Sequence, residues 1–423
     1  MRWTIHPEQR HYLGSFLLQT AMIEALTLIP FFCFQHLGGR ERSAALAYGV
    51  QTLSLGVTCF ISAPFVSRWR NGLLGCLIGA LGFGTFYFLA SFATSVVTFC
   101  ILTGIAMSFF ALAWPAMQSW LGAQPDEQKR TKSLANFNIA IGIGLIVGPL
   151  ITGVLYGINF RLAFLAAFVL SVLAALLLFS LPHEKEYFGR RADAAEAAPN
   201  HPAVKTRSAG ELFLYCGWLT NMLGWGIIGA IRTVYAGQVN DLVQRGQMVL
   251  LSMHAPIRFF TAQQPPSAAT LYSIMQAVLS LGYFAAILVM GRTVRWQRRL
   301  WIVAALEIVL GTAVWTLAGS RSLIVILLCH AILGAFAAFG YLGSQCYSTS
   351  DPVRKHRRVA IQEGLSQSSG FVLPLLFAQS AMSYGIAWPF KNVWLLLAAF
   401  AAAQFLSVQI AKWKLGRAAL AAA

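Results

Sequence analysis

Long apolar runs, rather than alternating or striped patterns, organise this chain. Ala21–Phe34, Gly72–Thr94 and Leu162–Leu181 contain almost no charge. A helix needs about 20 such residues to cross a hydrocarbon layer. Backbone groups inside lipid must be satisfied within their own segment, so each run is expected to be a helix. The pattern predicts twelve spans, at roughly 12–34, 44–66, 73–93, 96–121, 134–157, 161–181, 211–234, 268–290, 300–318, 322–348, 360–383 and 391–411. Met1–His11 is polar and basic, and the run after it is long enough to span. No cleavable leader is therefore expected.

The polar interruptions give the organisation. The longest in mid-chain, Pro182–Ala209, reads as a cytoplasmic linker (182–209), with an Ala/Pro-rich part too polar to fold alone. It separates a six-helix bundle at 1–181 from a second at 210–423. The fold class predicted is all-α membrane protein, with twelve transmembrane helices in two pseudo-symmetric six-helix bundles. Arg68-Trp69 after the second span recurs as Arg295-Trp296 after the eighth. Pro125 after the fourth recurs as Pro352 after the tenth, at the same offset of 227 residues. One stretch breaks the symmetry: Tyr235–Ser267 is expected to be a long outer loop. Its centre, Leu242–Phe260, reads as an interfacial helix or a flap, or as a passive insertion.

Composition agrees: 57% of the residues are hydrophobic and 11% are charged, against about 25% charged in soluble proteins. The formal net charge of +17 could suggest a nucleic-acid partner, but its distribution argues otherwise. Of 31 Lys and Arg, 23 fall on the side that holds both termini. That asymmetry predicts cytoplasmic termini and contact with anionic lipid headgroups, with no nucleic-acid partner. The seven cysteines are scattered singly and none lies in a Cys/His cluster, so neither a metal nor a cofactor is expected. There is no glycosylation sequon, which favours a bacterial inner membrane. No nucleotide loop, nucleophile elbow or metalloprotease motif occurs, so no enzyme activity is expected.

Residues 96–181 carry more specific patterns. Gly104, Trp114-Pro115-Ala116, Phe137-Asn138, the run Gly144-Leu-Ile-Val-Gly148-Pro149-Leu-Ile-Thr-Gly153 and Asn159-Phe160-Arg161 resemble the major facilitator superfamily. The Gly144–Gly153 element resembles that superfamily's fifth-helix motif, associated with exporters. Ala135 and Thr152 stand where the motif has glycine. Gly144 and Gly148 share one helix face, allowing close approach of another helix, and Pro149 loosens the backbone beside them. In the loop after the second span only Arg68 matches the family pattern. Ser67 replaces the acid of its gating ion pair.

Charges inside spans mark function, because burying one costs at least about 2.5–3.5 kcal/mol. Three acids sit there: Glu24, Glu307 and Glu363. Thr20, Glu24 and Thr27 share a helix face. Glu24 is the candidate proton carrier, since a partly buried carboxyl group can exchange a proton near neutral pH; a structural hydrogen bond is the alternative. The resemblance implies that the first, fourth, seventh and tenth helices line a central cavity. Candidates for it are Thr20 and Thr27 in the first, Trp114 and Gln118 in the fourth, and Trp218, Asn221, Trp225 and Arg232 in the seventh. The tenth adds His330, Tyr341 and Gln345, and the eleventh Gln367. Arg232 could attract an anion or snorkel outward. His330 could titrate or simply pack. Trp120 reads as an interface anchor. Glu363 could pair with the basic stretch Arg354–Arg358 as a substitute gate. Glu307, on a helix peripheral in the family pattern, has no evident role.

The resemblance implies a secondary active transporter that moves a small solute by alternating access, expected to be monomeric, proton-coupled and an exporter. A metabolite importer or uniporter remains an alternative, as does a transporter-like scaffold or sensor without flux.

Overall fold

The computed structural model describes residues 6–66, 72–122, 127–182, 204–249, 267–290, 292, 296, 299–348 and 355–421. Nearly all are helical. In order they form α1 (Pro7–Gln35), α2 (Glu41–Val66), α3 (Gly72–Ala90), α4 (Val96–Gly122), α5 (Glu127–Ile158) and α6 (Phe160–Phe179). Then come α7 (Val204–Ala230), a π-helical turn (Ile231–Tyr235), α8 (Ala236–Gln244) and α9 (Ala268–Met290). The last are α10 (Leu300–Gly319), α11 (Leu323–Ser348), α12 (Lys355–Tyr384), the short α13 (Trp388–Lys391) and α14 (Val393–Ala421).

Among the described residues, ten helical stretches are long and apolar enough to cross a membrane. The other two predicted spans are helices as well. The apolar part of α3, Leu74–Ala90, is shorter, and α12 carries Gln362, Glu363, Gln367 and several serines along its first half. The chain divides into two compact units, Met1–His201 and Pro202–Ala423. Residues 183–203, most of the expected linker, lie outside the described residues. The linker's last residues, from Val204, are already helical and lead into α7.

Lipid is as apolar as leucine, so these helices must be held by close packing and polar contacts rather than by expulsion of water. In unit 1 the long α1 is buried almost throughout from Leu18 to Cys33. Gly14 brings α1 against Leu178 of α6, Gly79 brings α3 against the α4 backbone at Phe109 and Ala113, and Gly84 brings α3 against Ser171 of α6. An aromatic cluster fills the end of the bundle beyond them. Phe32 lies 5.0 Å from Phe99, 5.6 Å from Phe160 and 5.1 Å from Phe164, ring centre to ring centre.

In unit 2, α7 packs on α11 and α12. Gly340 sits on the backbone of Thr220 and Asn221, and Gly226 beneath Leu373. Gly282 and Gly334 seat α9 and α11 backbone to backbone.

The seventh span corrects the expected loop at 235–267. It does not end at Val234. It passes through the π turn and continues as α8 to Gln244, a helical run of 33 residues from Leu212. Ala236, Val239 and Leu242 are buried, while Asn240, Asp241 and Gln244 face outward. The Gln238 amide donates to the Ala318 carbonyl at the end of α10. Helix α8 stops where Gly246 turns left-handed (φ 62°). The Gly246 and Gln247 amides bond back to Val243 and Leu242, closing the helix in the manner of a Schellman cap. Val249 then pairs with Arg321 and Leu323 through backbone bonds. The rest of the expected interfacial segment, 250–266, lies outside the described residues.

Trp120 also departs from the interface-anchor reading. It is buried, stacks on His11 at 5.1 Å, and donates its indole N–H to the Pro182 carbonyl. Arg10 donates to the Ser180 carbonyl at 2.6 Å. These bonds join α1 and α4 to the end of α6.

Candidate functional site

In unit 1 the sequence-derived residues converge on α1. Glu24 has no exposed surface, and neither of its carboxylate oxygens has a hydrogen-bond partner among the described residues. The flanking threonines do not supply one. Thr20 donates to the Phe16 carbonyl and Thr27 to the Ile23 carbonyl, each on its own helix.

The glycine face of α5 lies directly against this segment. A Cβ on Gly144 would stand 3.1 Å from the Thr20 hydroxyl. One on Gly148 would stand 2.8 Å from the Thr20 carbonyl oxygen and 3.1 Å from the Glu24 nitrogen. Thr152 donates to the carbonyl of Glu24 and to that of Gly148, joining the two helices at this level. Pro149 and Gly153 are buried beside it.

From α3, the Tyr87 hydroxyl donates to the Ala25 carbonyl at 2.5 Å and is close enough to Glu24 for direct electrostatic interaction. Two further buried amides lack partners among the described residues: both polar atoms of Gln51 on α2, and the carbonyl oxygen of Gln19. Trp114 stacks against Phe110 at 5.7 Å and lies 5.8 Å from Phe137. The Gln118 side chain and Arg68 lie outside the described residues.

In unit 2 the stripe on α7 meets three different helices. Trp218 donates to Ser348 of α11 at 2.9 Å. Asn221 donates to Ser366 of α12, whose hydroxyl in turn donates to the Gln362 carbonyl. Trp225 faces Tyr283 of α9, centroids 6.4 Å apart, and Tyr283 faces Tyr341 of α11 at 6.3 Å. The Glu363 carboxylate is near enough to interact electrostatically with both tyrosines, and it makes no ion pair among the described residues. Most of the basic stretch 354–358 lies outside the described residues. Gln345 and Gln367 are half-buried.

Arg232 does not snorkel. It is 3% exposed, sits within the π turn, and donates through Nε to the Gln276 carbonyl oxygen at 3.2 Å. His330 is fully buried. Its Nδ1 bonds the Ile326 carbonyl at 2.8 Å, its Nε2 has no partner among the described residues, and its ring lies 5.8 Å from that of Tyr235.

Glu307, without a role in the sequence, has one in the structure. Gln404 of α14 donates to its Oε1 at 2.6 Å and to Thr220 of α7 at 3.1 Å. Thr220 donates to the Cys216 carbonyl. The acid thus fastens α10, α14 and α7 together, away from the Trp225–Tyr283–Tyr341 group.

Sequence reasoning missed Tyr87, Tyr283 and Gln276. Each lies on a span outside the four given a cavity role, and a lone Tyr or Gln in an apolar run carries no period by which to notice it.

The comparisons with known proteins agree with this architecture. The Major Facilitator Superfamily family model matches residues 12–263, more than half of the chain. An uncharacterized MFS-type transporter of Mycobacterium tuberculosis (strain H37Rv) is 31% identical over 153 residues, a match that spans 35% of each protein. Among solved structures, a POT family transporter in complex with a thioalcohol-conjugated peptide aligns over 96% of both chains, with a TM-score of 0.70 and 14% identity. The nucleoside transporter NupG aligns over 96% of this chain and 99% of its own, with a TM-score of 0.66 and 12% identity. At such identities the likeness is one of fold. The family match, the two helical units and the spans together place the protein: it is a multi-pass membrane protein belonging to the major facilitator superfamily.

Proposed function

We propose that this protein is a proton-coupled secondary transporter of a small solute, working by alternating access as a monomer in a bacterial inner membrane. In this reading both termini are cytoplasmic and transport runs outward. The observation that carries it is Glu24. An acid in mid-span, with both oxygens lacking a partner among the described residues, is costly as a purely structural group. Its use is explained if it exchanges a proton when the transport cycle brings water to it. It also sits where α1 meets the glycine face of α5, with Pro149 beside it, so a shift between the two helices would change its surroundings. Export is supported by the resemblance of the Gly144–Gly153 element to exporter motifs, and a bacterial source by the mycobacterial relatives. The 23-to-8 division of basic residues supports the orientation.

The test is solute-driven proton movement in liposomes containing the purified chain. Wild type should acidify or alkalinise the lumen when solute is added, and Glu24→Gln should abolish this while leaving unfolding temperature unchanged. Solute flux that ignores both the pH gradient and Glu24 would replace this reading with a uniporter. Absence of flux across a broad solute panel would favour a scaffold or sensor.

A further inference from the structure

Unit 2 holds a buried cation, Arg232, with no counter-charge among the described residues. None of its described acids pairs with Arg232: Asp241 pairs with Arg245 at 3.7 Å, Glu307 is held by Gln404, and Glu363 lies by Tyr283 and Tyr341. Glu211 is 21 residues before Arg232 on the same span, about 31 Å away along the axis. Arg232 therefore donates only through Nε, and its four Nη–H donors have no partner among the described residues. The Nη atoms are also not sealed off, whereas the neighbouring Gln276 Nε2 is both enclosed and unpartnered. Tyr235, on the same π turn, likewise has an enclosed hydroxyl with no partner among the described residues. π turns of this kind recur at functional sites because they re-aim side chains.

The geometry continues along the same two helices. Trp225 on α7 is seven residues before Arg232 in the π turn, and Tyr283 is seven residues after Gln276 on α9. Each pair is in contact across the helices, so they form two rungs about 10 Å apart. One rung is a guanidinium with an amide; the other is a set of aromatic faces, Trp225, Tyr283 and Tyr341. To a second carboxylate the aromatic rung offers no cation among the described residues, only ring faces and the Glu363 carboxyl group.

We propose that these two rungs bind an organic monoanion with a flat apolar body. Its carboxylate meets Arg232 and Gln276, and its body lies on Trp225, Tyr283 and Tyr341. This rests on the transporter reading above and names the substrate class for it. A planar guanidinium suits a carboxylate, which can take two of its N–H donors at once.

The test is equilibrium binding to the purified full chain, read by tryptophan fluorescence and by calorimetry. The probes are biphenyl-4-carboxylate, its neutral amide biphenyl-4-carboxamide, and the dianion biphenyl-4,4′-dicarboxylate. The monoanion should bind at least about tenfold more tightly than either of the others. Arg232→Gln should erase the preference over the amide, Arg232→Lys should keep part of it, and Trp225→Ala should weaken monoanion and amide alike. Equal affinity of the wild type for acid and amide, a preference that survives Arg232→Gln, or no binding of the acid would overturn the proposal. The wild-type probe comparison needs no variant to fold. Discrimination without proton movement in liposomes would sink the proton-coupled reading and leave this site standing. Proton-coupled flux of neutral solutes without discrimination would do the reverse.

Discussion

Replacing Gln404 by leucine tests whether Glu307 is a structural fastener or part of the transport chemistry. The Gln404 amide makes two bonds, to Glu307 at 2.6 Å and to Thr220 at 3.1 Å, and the three residues are 2–4% exposed. Gln404→Leu keeps the approximate volume and removes both. Hydrogen bonds between membrane helices are worth about 0.6 kcal/mol on average and up to about 1.7 kcal/mol. A bond to a charged acceptor is worth about 1.5–3 kcal/mol in general. The short Glu307 bond belongs at the upper end of the membrane range, and the Thr220 bond near its mean. The expected loss is about 2 kcal/mol, or a fall in unfolding temperature of roughly 4–8 °C for a unit of this size. Removing both partners should be milder, because neither is then buried alone. Gln404→Leu combined with Glu307→Leu should recover at least half of the loss. The assay is thermal unfolding of the purified protein in one detergent, run as a double-mutant cycle with a coupling of about 1–2 kcal/mol expected. Additive single losses, or a Gln404→Leu variant as stable as the wild type, would refute the fastener argument. So would loss of proton coupling at unchanged stability in Glu307→Gln.

Two further outcomes follow from packing. Gly148→Val places methyl groups into the Thr20 and Glu24 backbone and should cost about 1–3 kcal/mol by overpacking. Ile23→Ala, which empties space at the same contact, should restore part of it, as unfolding temperatures of the three proteins would show. A Cβ on Gly246 would meet nothing within 4 Å, but the backbone there has a φ of 62°. Gly246→Val should therefore cost about 1–2 kcal/mol from backbone strain alone, and a variant at wild-type stability would contradict the Schellman closure of α8.

The apolar runs by themselves determined that this is a helical membrane protein. Lipid leaves a spanning backbone almost no other solution, so length and hydropathy suffice. They also indicated close packing at Gly144 and Gly148, because i,i+4 glycines on an apolar helix have few other uses. The sequence suggested that Glu24 and Glu363 matter, since an acid in a span is expensive wherever it points. What each acid or base touches was decided only by tertiary structure. The regular stripe from Trp218 to Arg232 became ties to α11, α12 and α9, because three different helices pack around α7. Glu307 took its meaning from Gln404, 97 residues away. Tyr235–Gln244 looked like a loop because Gln238, Asn240, Asp241 and Gln244 break up its apolar residues; its helical form depends on burying Ala236, Val239 and Leu242, a cost and gain that no local pattern records. Arg232 was legible as a charge near a membrane edge. Its burial, its π turn and the absence of a counter-ion among the described residues belong to the fold, because only the fold determines which carboxylates come within reach.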